Sequence, residues 1–260
     1  MTVWYMNGAG NDFMVIDARD KILNFEKLSV ELCKLTGADG FMAVDHSEVA
    51  DFRLHFYNSD GSRGEMCGNG ARCICRFAYD RGIAGESMSV QTDAGIVYGW
   101  RLAENRYRVQ LNNPGILDLH RRSDAAYVEL GTPGVPHSVT HIPGLSWDDR
   151  EKLRDYAKSL RYAPEFPKGA NANLYDWVDE TTVRILTYER GVEDYTLACG
   201  TGSGSVAAAL WMQGKVPGGF LTVKNPGGDL AVTIEGGSQV EKLLLEGPAE
   251  TVTAYQVDGC

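Results

Sequence analysis

Met66-Cys67-Gly68-Asn69-Gly70-Ala71 and Ala198-Cys199-Gly200-Thr201-Gly202-Ser203 are two renderings of one phrase. Their cysteines lie 199 − 67 = 132 residues apart, close to half of the 260-residue chain. A second echo sets Asn11-Asp12-Phe13-Met14-Val15-Ile16-Asp17 beside Asn173-Leu174-Tyr175-Asp176-Trp177-Val178-Asp179, in the same order along the chain. Two echoes in one order point to two similar halves, each carrying an extended segment into a Cys-Gly-x-Gly turn and then into a helix.

Around these loops the pattern is strand-dominated α+β, with short strands between Gly and Asn/Asp turns and four helices. The periodicity predicts helices over Phe25 to Leu35, Gly70 to Arg81, Trp147 to Leu160 and Gly204 to Gln213. Ser146 and Asp149 have capping-box spacing ahead of the third, and Val206 to Leu210 make the fourth apolar enough for the centre of a core. Strands are expected at Phe52 to Tyr57, Met88 to Thr92, Ile96 to Leu102, Tyr107 to Leu111, Thr182 to Tyr188, Phe220 to Lys224 and Leu230 to Ile234. The last two form a hairpin over the Pro226-Gly227-Gly228-Asp229 turn. Asn112 to Gly115 and Gly131 to Pro136 are the candidate crossovers between halves.

Composition narrows the function. With 25 Lys and Arg against 35 Asp and Glu the net charge is −10, so no basic face is expected for nucleic acid or an anionic membrane. A hydrophobic fraction of 43% is that of a globular protein, and the longest apolar run, Val206 to Met212, is too short to span a bilayer. The opening MTVWYMNGAGNDF lacks the basic and continuous apolar regions of a secretory signal, so a cytoplasmic protein is expected. Six cysteines, unevenly spaced, do not make a disulfide framework. Cys67, Cys73 and Cys75 on one helix cannot surround a metal tetrahedrally, so no metal site is expected. Cys73 and Cys75 read as small core residues, and Cys33 and Cys260 as having no chemical role.

The two loops carry the chemistry. Glycine lets a backbone turn sharply and approach a ligand closely, and the first N–H groups of a helix are an anion site. A carboxylate held by two such ends would be gripped from both sides. A thiol at a helix N-terminus is favoured as thiolate. Two thiols facing one carbon could then remove a proton from one face and return one to the other, which inverts the centre. Negative charge spreading onto the carboxylate would be stabilised by the helix ends. Neither loop has the Gly-x-x-x-x-Gly-Lys pattern of a nucleotide site, and no Cys-x-x-Cys redox pair is present. No Lys lies in either loop to carry pyridoxal phosphate, so no cofactor is expected.

These stretches resemble the diaminopimelate epimerase family across essentially the whole chain. The shared motifs are GNDF at Gly10 to Phe13, GADG at Gly37 to Gly40, YNSDGS at Tyr57 to Ser62, MCGNGARC at Met66 to Cys73, GVPH at Gly134 to His137, NAN at Asn171 to Asn173, YERGVE at Tyr188 to Glu193 and LACGTG at Leu197 to Gly202. The resemblance implies two pseudo-symmetric domains, each a mixed or antiparallel β-sheet wrapped around a central helix, with the active site in the cleft between them. The halves would be residues 1–115 and 116–248, with a final strand at about 249–260 able to return to the first. It also implies cofactor-independent interconversion of LL- and meso-diaminopimelate, a lysine and peptidoglycan precursor. The partner would be a small amino acid rather than nucleic acid or a membrane, and a homodimer stays open.

Carried over by motif, Cys67 and Cys199 are the acid/base thiols, and Gly68, Asn69, Gly200 and Thr201 supply backbone donors to the reacting carboxylate. His137 and Glu189 sit near the reacting centre, while Asn11, Asn58, Asn171 and Arg190 hold the distal amino-acid end. Read without the family, Asn11 and Asn171 could be turn residues, Glu189 and Arg190 a surface ion pair, and His137 a satisfied buried imidazole. Val135 stands where the family often has Asn, and Asn7 where it often has His. Proline racemases, with a CGHG first loop, and phenazine-pathway isomerases, which use carboxylate chemistry, are less similar. A racemase of another amino acid and a non-catalytic anion-binding protein are the alternatives.

Overall fold

The computed structural model describes residues 1–64 and 67–257. Met66 and the Cys260 thiol therefore lie outside the described residues. In chain order the elements begin with strands β1 (Thr2–Gly8) and β2 (Asn11–Asp17), helix α1 (Phe25–Thr36), β3 (Gly40–Asp45), β4 (Phe52–Asn58) and helix α2 (Gly68–Asp80). Strands β5 (Ser87–Thr92), β6 (Gly95–Ala103), β7 (Arg106–Leu111), β8 (Pro114–Arg122), β9 (Ala125–Gly131) and β10 (Gly134–His141) come next. Helix α3 (Arg150–Arg161), β11 (Asn171–Asp179), β12 (Thr182–Glu189), β13 (Asp194–Thr196) and helix α4 (Gly200–Met212) follow. The chain closes with β14 (Phe220–Asn225), β15 (Gly228–Gly236), β16 (Val240–Pro248) and β17 (Glu250–Gln256).

The chain divides into two compact units, Met1–Val109 with the stretch from Glu246 onward, and Gln110–Leu245. In the first, β1–β2 is antiparallel, β2–β3 parallel, β3–β4 antiparallel, β4–β5 parallel and β5–β6 antiparallel. In the second, the same alternation runs through β9–β10, β10–β11, β11–β12, β12–β14 and β14–β15. Helices fall at equivalent places too: α1 precedes β3 as α3 precedes β11, and α2 precedes β5 as α4 precedes β14. The duplication is thus written in the pairing of the strands.

That correspondence matches β2 with β10 and β3 with β11, so the second sequence echo joins strands that are not equivalent. Acidic and Asn ends around an apolar or aromatic run suit many strands, which is why it misleads. Gly131 to Pro136 is no crossover either; it lies inside the second unit, where Gly131 pairs with Gly134 in the β9–β10 turn. The Ser146/Asp149 capping box is present, but it caps a 3₁₀ turn, Trp147–Asp149, ahead of α3. The β14–β15 hairpin turns on Pro226 and Gly227 alone, since Asn225 already pairs with Gly228.

Helices α2 and α4 begin earlier than periodicity predicts, at Gly68 rather than Gly70 and at Gly200 rather than Gly204. Glycine disfavours helix by about 1 kcal/mol relative to Ala, which hides these first turns from a propensity reading. Burial overrides it. Gly68 to Cys75 are all buried in α2, and Gly202 to Leu210 in α4. Helix α2 packs on β1, β2, β3, β6 and β17, and α4 on β9, β10, β11, β14 and β15. The approach is close enough that a Cβ on Gly8 of β1 would stand 2.8 Å from the Asn69 carbonyl oxygen.

Candidate active site

Both loop cysteines are helix N-caps with nearly the same backbone. Cys67 has φ −121° and ψ 121°, Cys199 φ −117° and ψ 111°. Each carbonyl takes the first helical bond, from Ala71 N at 2.7 Å and Ser203 N at 2.9 Å. Gly82 and Gly214, both at positive φ, follow the two helices at the same offset. The duplicated turn therefore delivers one thiol per unit to the positive end of a central helix.

In the second unit Cys199 is 6% exposed. Gly202 N donates to its Sγ at 3.3 Å, and Thr201 Oγ1 lies 3.5 Å away. Beneath this turn sits the Asn173 carboxamide; a Cβ on Gly202 would be 2.3 Å from Asn173 Oδ1. That oxygen accepts from Thr187 Oγ1 at 2.9 Å. Asn173 Nδ2 faces Ser138 O at 2.9 Å, Asn171 O at 3.1 Å and His137 Nδ1 at 3.2 Å. His137 is fully buried, and its Nε2 meets no partner among the described residues. Burial, reinforced by the positive charge of Arg190, pulls its pKa down to about 3, so the ring is neutral. It is thus not a satisfied core histidine.

The register joins these residues to the Glu189–Arg190 loop. His137 pairs with Asn171, and Ala172 with Tyr188, which leaves Asn171 beside Glu189 at one end of the sheet. Asn171 is not a turn residue; its Nδ2 donates to Pro136 O at 3.2 Å and its Oδ1 accepts from Arg190 N at 2.7 Å. The Arg190 guanidinium is exposed and reaches Lys168 O at 3.3 Å. Glu193, at φ 57°, pins the loop by accepting from Arg161 Nη2 at 2.8 Å and Tyr162 Oη at 2.8 Å.

In the first unit, Asn69 Nδ2 donates to Asn11 Oδ1 at 2.5 Å, and Asn11 Nδ2 to Asp39 Oδ2 at 3.2 Å. Asn58 stands at the same end, paired with Gly40, which pairs with Phe13; it is exposed and donates to Ser62 Oγ. Asn7 donates to Asp12 Oδ1 at 2.8 Å, and Val135 pairs with Leu130. Two residues outside the predicted set each hold the loop of their own unit: Asn173 in the second, and Arg72, which is fully buried, in the first. Asn-x-Asn on a strand puts both side chains on one face, and that was the available signal for Asn173. Cys73 and Cys75 are buried in the core, where their thiols are pushed up to about 12.

No disulfide joins the described cysteines, and no trio of His, Cys, Asp or Glu among the described residues could hold a metal. No helix among the described residues is long and apolar enough to cross a membrane.

The fold is shared with several solved structures. A Bacillus anthracis phenazine biosynthesis protein of the PhzF family matches at TM-score 0.74 and 16% identity, covering 99% of this chain and 98% of that one. A probable proline racemase from Agrobacterium radiobacter matches at TM-score 0.72 and 15% identity, covering 98% and 92%. At the level of sequence, the profile of the diaminopimelate epimerase family matches residues 3–114 and 131–252. The diaminopimelate epimerase of Aquifex aeolicus is 36% identical over 269 residues, 95% of this chain and 94% of its own. The chain belongs to the diaminopimelate epimerase family, a family of isomerases.

Proposed function

We propose that this protein interconverts LL- and meso-diaminopimelate in the cytoplasm by a cofactor-independent two-base mechanism. Cys67 and Cys199 exchange the α-proton on opposite faces of the reacting carbon. The observation that carries this reading is the duplicated N-cap, in which two cysteines with matching backbone angles open two matching helices. A helix start favours the thiolate over the thiol, which suits one cysteine to removing a proton. The other, as thiol, donates one.

The α-hydrogen of an amino acid is weakly acidic, so the charge that develops on the carboxylate must be met. The N–H groups of Gly68, Asn69, Gly200 and Thr201 belong to first helical turns, where intrahelical acceptors are lacking, and they fit that task. Asn11, Asn58, Asn171 and Arg190 take the distal amino-acid end, Glu189 and His137 the surroundings of the reacting centre. Fixed backbone donors cost no reorganisation during proton transfer.

Incubation with LL-diaminopimelate in D2O, followed by chiral analysis, tests the proposal. The expected result is meso product carrying solvent deuterium at the inverted carbon. Retention of the LL form with no deuterium uptake would refute it, and turnover of a different amino acid in the same assay would move the substrate assignment.

A further inference from the structure

Asn173 had no role in the chemistry read from sequence, yet its carboxamide reaches Ser138, Asn171, His137 and Thr187 in the second-unit site. Its orientation is fixed without reference to the histidine. Ser138 O and Asn171 O can only accept, so the atom facing both at 2.9 and 3.1 Å must be the NH2 end. Thr187 Oγ1, which donates to the opposite end at 2.9 Å, agrees with that choice. The same nitrogen faces His137 Nδ1 at 3.2 Å. An amide nitrogen offers hydrogens and no lone pair, so a proton on Nδ1 would point at the Asn173 hydrogens.

We infer that Asn173 is a positioning residue that keeps Nδ1 of His137 unprotonated, so that the ring presents Nε2–H as a hydrogen-bond donor to a carboxylate oxygen of the bound amino acid. This rests on the proposed function for the identity of the ligand. The ring's Nε2 is buried and without a partner among the described residues. A buried donor left unmet is costly, and an anion arriving there would relieve it. Arg190, on the neighbouring loop, adds positive charge to the same surroundings. A ring protonated at Nε2 cannot take a proton there, so His137 is excluded as a base acting through that nitrogen. Through Gly202, whose missing side chain makes room for Asn173 Oδ1, the same carboxamide also supports the turn whose N–H reaches the Cys199 thiol.

The test is the ring nitrogen spectrum of the full chain labelled with 15N-histidine, His137 being assigned as the signal lost in His137→Gln. The wild type should show an unprotonated Nδ1 and a protonated Nε2; a protonated Nδ1 overturns the inference. In Asn173→Asp the side chain can only accept, so Nδ1 should gain a proton, and an unchanged pattern overturns the role of Asn173. Should that variant not fold, a scalar coupling between the Asn173 amide and His137 Nδ1 in the wild type reports the contact, and its absence overturns the inference. Adding diaminopimelate should move the Nε2 proton downfield, and a proton that stays put while substrate turns over removes the donor role. Epimerisation scored on the same sample separates the two claims. An Nε2–H ring without turnover removes the proposed function and leaves the Asn173 contact standing, whereas turnover with an Nδ1–H ring removes this inference alone.

Discussion

Arg72 Nη2 donates to Asn69 Oδ1 at 2.9 Å, one turn into the helix that Cys67 opens. Its Nη1 reaches Gly68 O at 3.2 Å and its Nε Pro248 O at 3.3 Å. No carboxylate pairs with this fully buried guanidinium among the described residues, and burial lowers its pKa to about 10, which still leaves it charged at neutral pH. A buried cation beside the loop adds to the helix end in favouring a thiolate at Cys67, whose own charge favours the charged Arg72. Arg72→Met should therefore slow iodoacetamide alkylation of Cys67 at neutral pH by about tenfold, which corresponds to ~1.4 kcal/mol. Arg72→Lys should restore part of the rate. An alkylation–pH profile that Met leaves in place would remove Arg72 from the electrostatics of the thiol.

Glycine is required unequally along the second loop. A Cβ at Gly202 would stand 2.3 Å from Asn173 Oδ1 and 3.2 Å from both Cβ and Sγ of Cys199, all held groups. At Gly204 the closest atom, at 2.7 Å, is a Leu111 methyl that can swing away. Gly→Ala gains about 1 kcal/mol in a helix, so Gly204→Ala should be close to neutral in denaturant unfolding. Gly202→Ala should lose about 1–3 kcal/mol by overpacking and lose turnover with it. Equal effects at the two positions would mean that Asn173 is free to move.

These positions also mark where sequence reading works and where it stops. The Cys-Gly repeat was legible because the same turn opens two equivalent helices, and hydrophobic alternation placed β5, β6, β14 and β15 within a residue or two. Strands such as β3, GFMAVD, almost wholly buried, have no polar face to alternate with and escape a period-2 reading. The first turns of α2 and α4 were hidden by their own glycines. Arg72 and Asn173 were present inside quoted motifs, but their importance comes from what tertiary packing brings to them: a carbonyl 176 residues away for Arg72, and a strand-to-strand ring of acceptors for Asn173.

His137 should leave a signature in acid. Its folded-state pKa is lowered from 6.5 to about 3 by burial and by Arg190, so below pH 6.5 the unfolded chain binds a proton that the folded chain refuses. Stability is therefore full above about pH 6.5, declines as pH falls, and levels off below about pH 3, with a slope of at most ~1.4 kcal/mol per pH unit. His137→Gln should flatten that limb of the curve measured by urea unfolding between pH 6.5 and 4. A variant as acid-sensitive as the wild type would show that another group carries the loss.

Arg190 and Glu193 divide the labour of one loop, and substrate kinetics can tell them apart. Arg190 is exposed, and its side-chain bond to Lys168 O is long at 3.3 Å, so Arg190→Met should change stability by no more than about 0.5 kcal/mol. Its charge already lowers the His137 pKa in the empty protein, and under the proposed function it also meets a distal carboxylate; a guanidinium–carboxylate contact is worth about 1.5–3 kcal/mol, so KM for diaminopimelate should rise by ~10- to 100-fold. Glu193 makes its contacts in the empty protein. Burial works against its charge, but the bonds from Arg161, Gly191 N and Tyr162 outweigh it and hold the carboxyl down at about 2. Glu193→Gln keeps the shape and loses the charge-assisted bonds, so it should cost stability as well as raise KM, through a looser Arg190. An Arg190→Met enzyme with normal KM would take the distal carboxylate away from this loop, whatever the fate of the thiols.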